Sequence, residues 1–218
     1  MIDEGPFSDD KPLIFLISSG SLTDENFLDS SVHLVGKFSE AARSGVDFIQ
    51  IREKKISAMN LLELVRRVVS EISDTHCRVV VNERFDVAIV AGAHGVHLTS
   101  TSIPAEIVRS NVPDGFIIGK SAHSISEIEN AKKSVDYLFF GPIFDTPSKI
   151  GIIESKGVEE LKRAVDAASP RPVIALGGIK IQNVNEVSKS GVIGIAGIGL
   201  FEFGAVSDTV ESIRREFR

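Results

Sequence analysis

The sequence predicts one α/β domain folded as a (β/α)8 TIM barrel, and three observations carry that expectation. Short, nearly all-apolar, β-branched runs recur along the 218 residues. Segments with helical spacing separate them. The glycine-rich turn that opens an open doubly wound sheet is missing after the first run, where SSGSLTD offers only Gly20. Regular alternation of this kind implies parallel strands that bury both faces under helices.

In chain order the runs are LIFLIS (13–18), FIQIR (48–52), RVVVN (78–82), GVHL (95–98), FIIG (116–119), YLFFG (137–141), PVIALGG (172–178) and GIAGIG (194–199). Between the second and third, Leu61, Leu64, Val65, Val68, Val69 and Ile72 fall at i, i+3, i+4, i+7, i+8 and i+11, one apolar helical stripe. Ser124-x-x-Glu127 reads as a capping box that starts the helix after the fifth run. Val158, Leu161, Val165 and Ala168 line the helix after the sixth. Residues 1–11 are expected to form a disordered lead-in and 12–218 the barrel domain.

Composition excludes several classes. Hydrophobic residues make up 43% and charged residues 25%, ordinary globular usage. A net charge of -6 without a Lys/Arg block gives no footprint for nucleic acid or an anionic membrane surface. The lone Cys77 forms no intrachain disulfide, and the acidic start MIDEGPFSDDKP lacks a secretory apolar core, so a cytoplasmic protein is expected. No apolar run is long enough to span a bilayer. A small phosphorylated substrate is the expected partner, and a homo-oligomer is allowed.

In a barrel of this kind the chemistry gathers where strands end and helices begin. The stretch DFIQIREKK (47–55) places Gln50, Arg52 and Lys54 on one strand face and Ile49, Ile51 and Glu53 on the other. Arg52, Lys54 and Lys149 form a candidate anion site, since guanidinium grips phosphate oxygens bidentately and ammonium acts as a point charge. The plain alternative is that Lys54 and Lys55 are solvated and Arg52 pairs with Glu83. Across the mouth, Gly177-Gly178 and Gly197-Ile198-Gly199 follow the last two strands, where absent Cβ atoms let backbone amides cradle phosphate. His123 follows Gly119 and Ser121 at two-residue spacing, which aims it at the mouth as a general acid–base, while His97 sits deeper and reads as packing. No zinc pattern, nucleophile elbow or Walker sequence is present.

Taken together, QIREK (50–54), VN (81–82), GVHL (95–98), GKSAHS (119–124), FGPIFDTPSK (140–149), VIALGGI (173–179) and GIAGI (194–198) resemble the thiamine phosphate synthase/TenI family over residues 13–217. The resemblance implies a barrel enzyme of thiamine biosynthesis. In its synthase branch, magnesium assists coupling of a pyrimidine diphosphate to a thiazole phosphate through a pyrimidine carbocation. Gln50, Arg52, Lys54, Asn82 and Lys149, with Ser121, Thr146 and Ser148, would then hold the pyrimidine diphosphate. Gly177, Gly178, Ile198 and Gly199 would hold the thiazole phosphate. In the TenI branch the enzyme is a metal-free thiazole tautomerase, and His123 matches its catalytic histidine.

Two departures bear on the branch. The synthase pattern places aspartates at two magnesium-binding positions that here read Glu83 and Ser102, so Glu83 is a metal ligand only if the chain is a synthase. Ser102, just before Ile103-Pro104, reads instead as a helix N-cap. The sixth loop, DTPSKIGIIESKG (145–157), is closer to TenI, whereas the complete QIREK row is closer to a synthase. The sequence thus favours the tautomerase, with the synthase and a non-catalytic thiazole phosphate binder as alternatives.

Overall fold

A computed structural model of the protein describes residues 7, 11–145, 154–202 and 204–217. Eight parallel strands, β1 (Leu13–Ile17), β2 (Phe48–Ile51), β3 (Arg78–Asn82), β4 (Gly95–Leu98), β5 (Ile117–Ala122), β6 (Tyr137–Phe140), β7 (Val173–Leu176) and β8 (Gly194–Gly197), pair in sequence order, and β8 closes on β1. The closed (β/α)8 barrel is therefore observed as expected. The helices are α1 (Phe27–Arg43), α2 (Ala58–Glu71), α3 (Phe85–Ala91), α4 (Ala105–Arg109), α5 (Ile125–Ala131), α6 (Gly157–Ala168), α7 (Ile181–Ser188) and α8 (Val206–Glu216). A 3-10 turn, Gly199–Phe201, follows β8.

The periodic stripe is the buried face of α2: Leu61, Leu64, Val65 and Val68 are buried, and Ser57 caps its start by accepting from the Asn60 amide at 3.3 Å. Each fully buried aliphatic side chain of this kind stabilises the fold by about 1.5–3 kcal/mol. The outward faces of the strands join these helix stripes in one continuous core. At the seam, the Arg214 guanidinium of α8 donates to the carbonyls of Pro12 (2.9 Å) and Gly45 (2.8 Å) and pairs with Asp47 (3.1 Å). Asp47 in turn accepts from the Ile14 amide at 2.8 Å.

Inside the barrel, aromatic rings form a dense floor. Phe15 stacks on Phe48 with ring centroids 4.3 Å apart, and Phe139 meets Phe15 edge-on at 5.1 Å. Phe7 lies parallel to Phe48 at 5.7 Å. Filling a barrel this way needs small residues opposite large ones, because interior side chains from neighbouring strands share one fixed volume. Gly119 is paired in register with Tyr137, and a Cβ there would fall within the phenol ring. Gly95 likewise makes room beside Ile117, and Gly194 beside Leu13.

Gly119→Ala should therefore lower stability by about 1–3 kcal/mol through overpacking. Urea unfolding monitored by circular dichroism checks it: the midpoint should fall while the slope stays unchanged.

Candidate functional site

Because all eight strands run in one direction, their C-terminal ends share a single rim. Above the aromatic floor the inward side chains turn polar. Gln50 is only 2% exposed, and its amide donates to Asn82 Oδ1 at 3.1 Å. Asn82 Nδ2 donates to Glu83 Oε2 at 2.9 Å, so β2 and β3 carry one continuous chain of hydrogen bonds. Gln50 Oε1 is buried without a hydrogen-bond partner among the described residues, an acceptor open to a ligand.

The cationic row continues past the end of β2, which stops at Ile51, so Arg52 and Lys54 lie beyond the strand. Ser18 fixes its base, accepting from the Arg52 amide at 2.7 Å. On the opposite face Glu53 is buried and accepts from the amides of Gly20 (3.1 Å) and Leu22 (2.8 Å), which ties the β1 loop to β2. Gly20, at φ +80°, leaves space beside the Arg52 guanidinium. Arg52 pairs with no carboxylate among the described residues; it is Lys54 that reaches Glu83, at 3.4 Å. The alternative pairing of Arg52 with Glu83 is thus not formed.

Glu83 adopts φ +62°, a left-handed backbone rare for a residue with a side chain. Its carboxylate explains the conformation, since it collects Thr99 Oγ1 (2.7 Å), Ser102 Oγ (3.2 Å), Asn82 and Lys54. Burial pushes its pKa up, but the Thr99 hydrogen bond, the Lys54 charge and the Ser102 hydrogen bond outweigh that and hold it below the ordinary carboxylate value. Ser102 is not the N-cap of α4; that position is Pro104. The Ser102 hydroxyl instead accepts from the Thr99 amide at 2.8 Å and supports Glu83. The reason is local: a tight turn from Thr99 to Ser102 closes before the helix begins.

On β5, His123 sits half-exposed past the strand end. Its Nδ1 lies 2.5 Å from the Gly141 carbonyl, which can only accept, so Nδ1 carries a proton. Ser124 caps α5 by accepting from the Glu127 amide at 3.2 Å, but Glu127 returns its carboxylate to the His123 amide (2.9 Å) rather than to Ser124. The capping box is thus displaced by one residue and anchors His123. His97 is buried as the sequence suggested, yet both ring nitrogens are engaged, Nδ1 with Tyr137 Oη (3.0 Å) and Nε2 with Ser121 Oγ (2.9 Å). No sequence signal marked that connection, because it depends on the register of three strands. Cys77 is no nucleophile, its thiol being pushed up to about 12 by burial and the Asp47 charge.

Across the rim, Gly177 and Gly178 take φ +98° and +67°, and a Cβ at either would collide with Pro142 or Phe144 of the β6 loop. That loop is tied down by Ile143 and Phe144 amides donating to Leu176 (3.0 Å) and Gly177 (3.1 Å) carbonyls. The amides of Gly178 and Gly199 donate to no group among the described residues. Thr146, Ser148 and Lys149 lie outside the described residues. A separate, largely apolar groove, lined by Ala58, Met59, Leu62, Asp86, Val87 and Val90, lies on the outer helical ring.

The sequence profile of the family described as thiamine monophosphate synthase matches residues 22–201, most of the chain. The chain belongs to that family. It is 40% identical over 176 residues to a thiamine-phosphate synthase of Archaeoglobus fulgidus, covering 81% of each chain. A Methanoculleus marisnigri thiamine-phosphate synthase is 36% identical over 176 residues, covering 80% of this chain and 83% of the relative. The solved structure of a thiamine phosphate pyrophosphorylase from Pyrococcus furiosus superimposes with a TM-score of 0.78 at 29% identity, covering 94% of this chain and 95% of that one. The family membership expected from the motifs is thereby established, and with it an enzyme of thiamine biosynthesis. The tautomerase branch favoured by the sixth loop gains no support from these relatives, which carry synthase names.

The His97 environment of this family member predicts a pH dependence. Burial, reinforced by the Lys120 charge, depresses its pKa from 6.5 to about 3. Between those values the unfolded chain binds a proton that the folded chain does not, so stability falls as pH drops from about 6.5 toward about 3. The contribution is at most about 1.4 kcal/mol per pH unit. Urea titrations at several pH values should show this slope in the parent, and a shallower one in His97→Gln.

Proposed function

We propose that the protein is a thiamine phosphate synthase, joining a pyrimidine diphosphate to a thiazole phosphate with release of inorganic pyrophosphate. The observation that carries this reading is the built second site on β2 and β3. A tautomerase acting on thiazole phosphate alone has no use for an orphaned buried acceptor on Gln50 beside an Arg52 paired with no carboxylate among the described residues. The synthase names of relatives up to 40% identical support it.

In this reading Gln50 Oε1 accepts from the exocyclic amine of the pyrimidine, and the Gln50–Asn82 hydrogen bond fixes which way the Gln50 amide faces. Arg52, Lys54 and Ser121, with Thr146, Ser148 and Lys149, take the diphosphate. Cations placed there stabilise charge as the C–O bond to the diphosphate breaks, which is where preorganised electrostatics act most strongly. The Gly177–Gly178 turn and the Ile198–Gly199 turn hold the thiazole phosphate and direct its ring nitrogen toward the carbon being vacated. That attack needs no protein base, so His123 is a spectator of the coupling chemistry.

Among the described residues no three His, Cys, Asp or Glu side chains gather to hold a metal. Magnesium nonetheless fits the site in its usual mode, through one carboxylate plus substrate phosphates. Glu83, with its depressed pKa, is the protein's carboxylate for that purpose, and Ser102 is a supporting residue rather than a ligand. When bound, the ion would neutralise charge on the departing diphosphate.

A coupled assay with both substrates tests the reading. Thiamine phosphate should form with magnesium and fall sharply without it. Glu83→Ala and Arg52→Ala should each lower kcat/KM by at least about 100-fold, the scale of losing a preorganised charge contact. His123→Ala should change coupling less than tenfold. If instead no thiamine phosphate forms and the parent aromatises the thiazole carboxylate phosphate in a His123-dependent way, the tautomerase reading takes its place.

A further inference from the structure

Tyr137, His97 and Ser121 come from β6, β4 and β5 and form one line of hydrogen bonds from the aromatic floor to the rim. Tyr137 is fully buried among Phe15, Phe48 and Phe139, and burial keeps its phenol protonated by raising its pKa well above the ordinary value. Among the described residues its hydroxyl has one hydrogen-bond partner, Nδ1 of His97. His97 is itself 1% exposed, with its ring 4.2 Å from that of Phe139, and both ring nitrogens face hydroxyls rather than a carboxylate, so nothing compensates a buried charge there and the ring is neutral. A neutral imidazole carries one proton, so only two arrangements are open.

If Nδ1 held the proton, it would point at the phenol oxygen. The phenol's own proton would then face an aromatic floor with no acceptor, an orphaned buried donor that is expensive to maintain. If Nε2 holds it, Tyr137 donates to Nδ1, Nε2–H donates to Ser121 Oγ, and every buried donor is satisfied. Only the Ser121 proton is left over, and Ser121 is the one half-exposed member of the line. The charged groups facing this line are Lys120, whose ammonium donates to the Thr99 carbonyl at 3.0 Å, Glu83, and Asp136 beside Tyr137.

We infer that Tyr137 and His97 are positioning residues that lock the Nε2–H tautomer and so make Ser121 an obligate hydrogen-bond donor toward an anionic substrate oxygen at the rim. A free serine hydroxyl accepts or donates at will. One that already accepts from below, and meets no acceptor there, presents its proton upward, which suits a phosphate oxygen. The inference rests on the reading of Ser121 as a diphosphate contact, and it adds a second layer beneath that contact.

The first test reads the tautomer itself in the ligand-free protein. Long-range 1H–15N correlation spectra between pH 7 and pH 5 should show His97 with a pyrrole-type Nε2 and a pyridine-type Nδ1; the reverse pattern overturns the proposal. The second uses inorganic pyrophosphate as a probe in calorimetry or as a competitive inhibitor. Ser121→Ala should weaken it about tenfold, the scale of one hydrogen bond to a charged group. His97→Phe should weaken it about threefold to tenfold. The double variant should be no weaker than Ser121→Ala alone, whereas additive losses would mean that His97 acts through general packing and would overturn the proposal. His97→Gln, whose side-chain amide can still donate to Ser121, should restore most of the affinity and serves where His97→Phe does not fold. Should Ser121→Ala leave pyrophosphate binding unchanged while the spectra show the Nε2–H tautomer, the relay stands as structure but the diphosphate assignment of Ser121, and the inference with it, falls. Loss of thiamine phosphate formation with the tautomer and the cycle intact would instead fault the proposed reaction.

Discussion

The mouth of this barrel depends on how its floor is filled. Eight strands enclose a fixed interior volume, and here Phe15, Phe48, Tyr137 and Phe139 occupy it, with Gly119 giving way to the Tyr137 ring. That exchange of bulk for absence sets the height at which side chains stop being apolar. His97 rests directly on the Tyr137 and Phe139 rings, and hydrogen bonds from His97 to Ser121 and from Gln50 to Asn82 restrict the side chains of the polar layer. Rigid support of this kind is what lets a handful of polar groups meet a ligand without reorganising.

A division of labour runs around the rim. The β2–β3 side uses side-chain charge and an elaborate hydrogen-bond chain ending at Glu83, whose left-handed backbone is held by four polar partners. The β7–β8 side uses backbone amides and glycines whose missing Cβ atoms are required by the β6 loop packed against them. Two anions can therefore be gripped by two different physical devices. One is strong and directional, and the other is compact and indifferent to protonation.

Much of this was legible in the sequence because it rests on local rules. Nearly all-apolar β-branched runs marked the strands, the stripe from Leu61 to Ile72 marked α2, and paired glycines marked the turn after β7. The strand limits differed at the margins: β5 runs on to Ala122 because Lys120 and Ser121 still pair with β6, while β7 stops at Leu176 where glycine dihedrals turn the chain. What escaped the sequence depends on register across strands. That Lys54 rather than Arg52 meets Glu83, that Ser102 braces a carboxylate instead of capping α4, and that His97 bridges Tyr137 to Ser121 all follow from which residues a closed ring brings side by side. Periodicity along one strand carries no trace of that. The tautomerase preference leaned on a loop whose central residues lie outside the described part of the chain, whereas the complete cationic row was the more telling signal.

The clasp that Arg214 makes on Pro12, Gly45 and Asp47 joins the last helix to the opening of the chain, beside the β1–β8 seam. A ring of this kind has no partial credit during synthesis. Until the β8 segment leaves the ribosome, β1 and β7 each present a bare hydrogen-bonding edge, and the aromatic floor lacks one wall. Folding of the nascent barrel is therefore completed only once β8 and α8 have emerged, and the interval before the clasp engages is when chaperones have the most to shield.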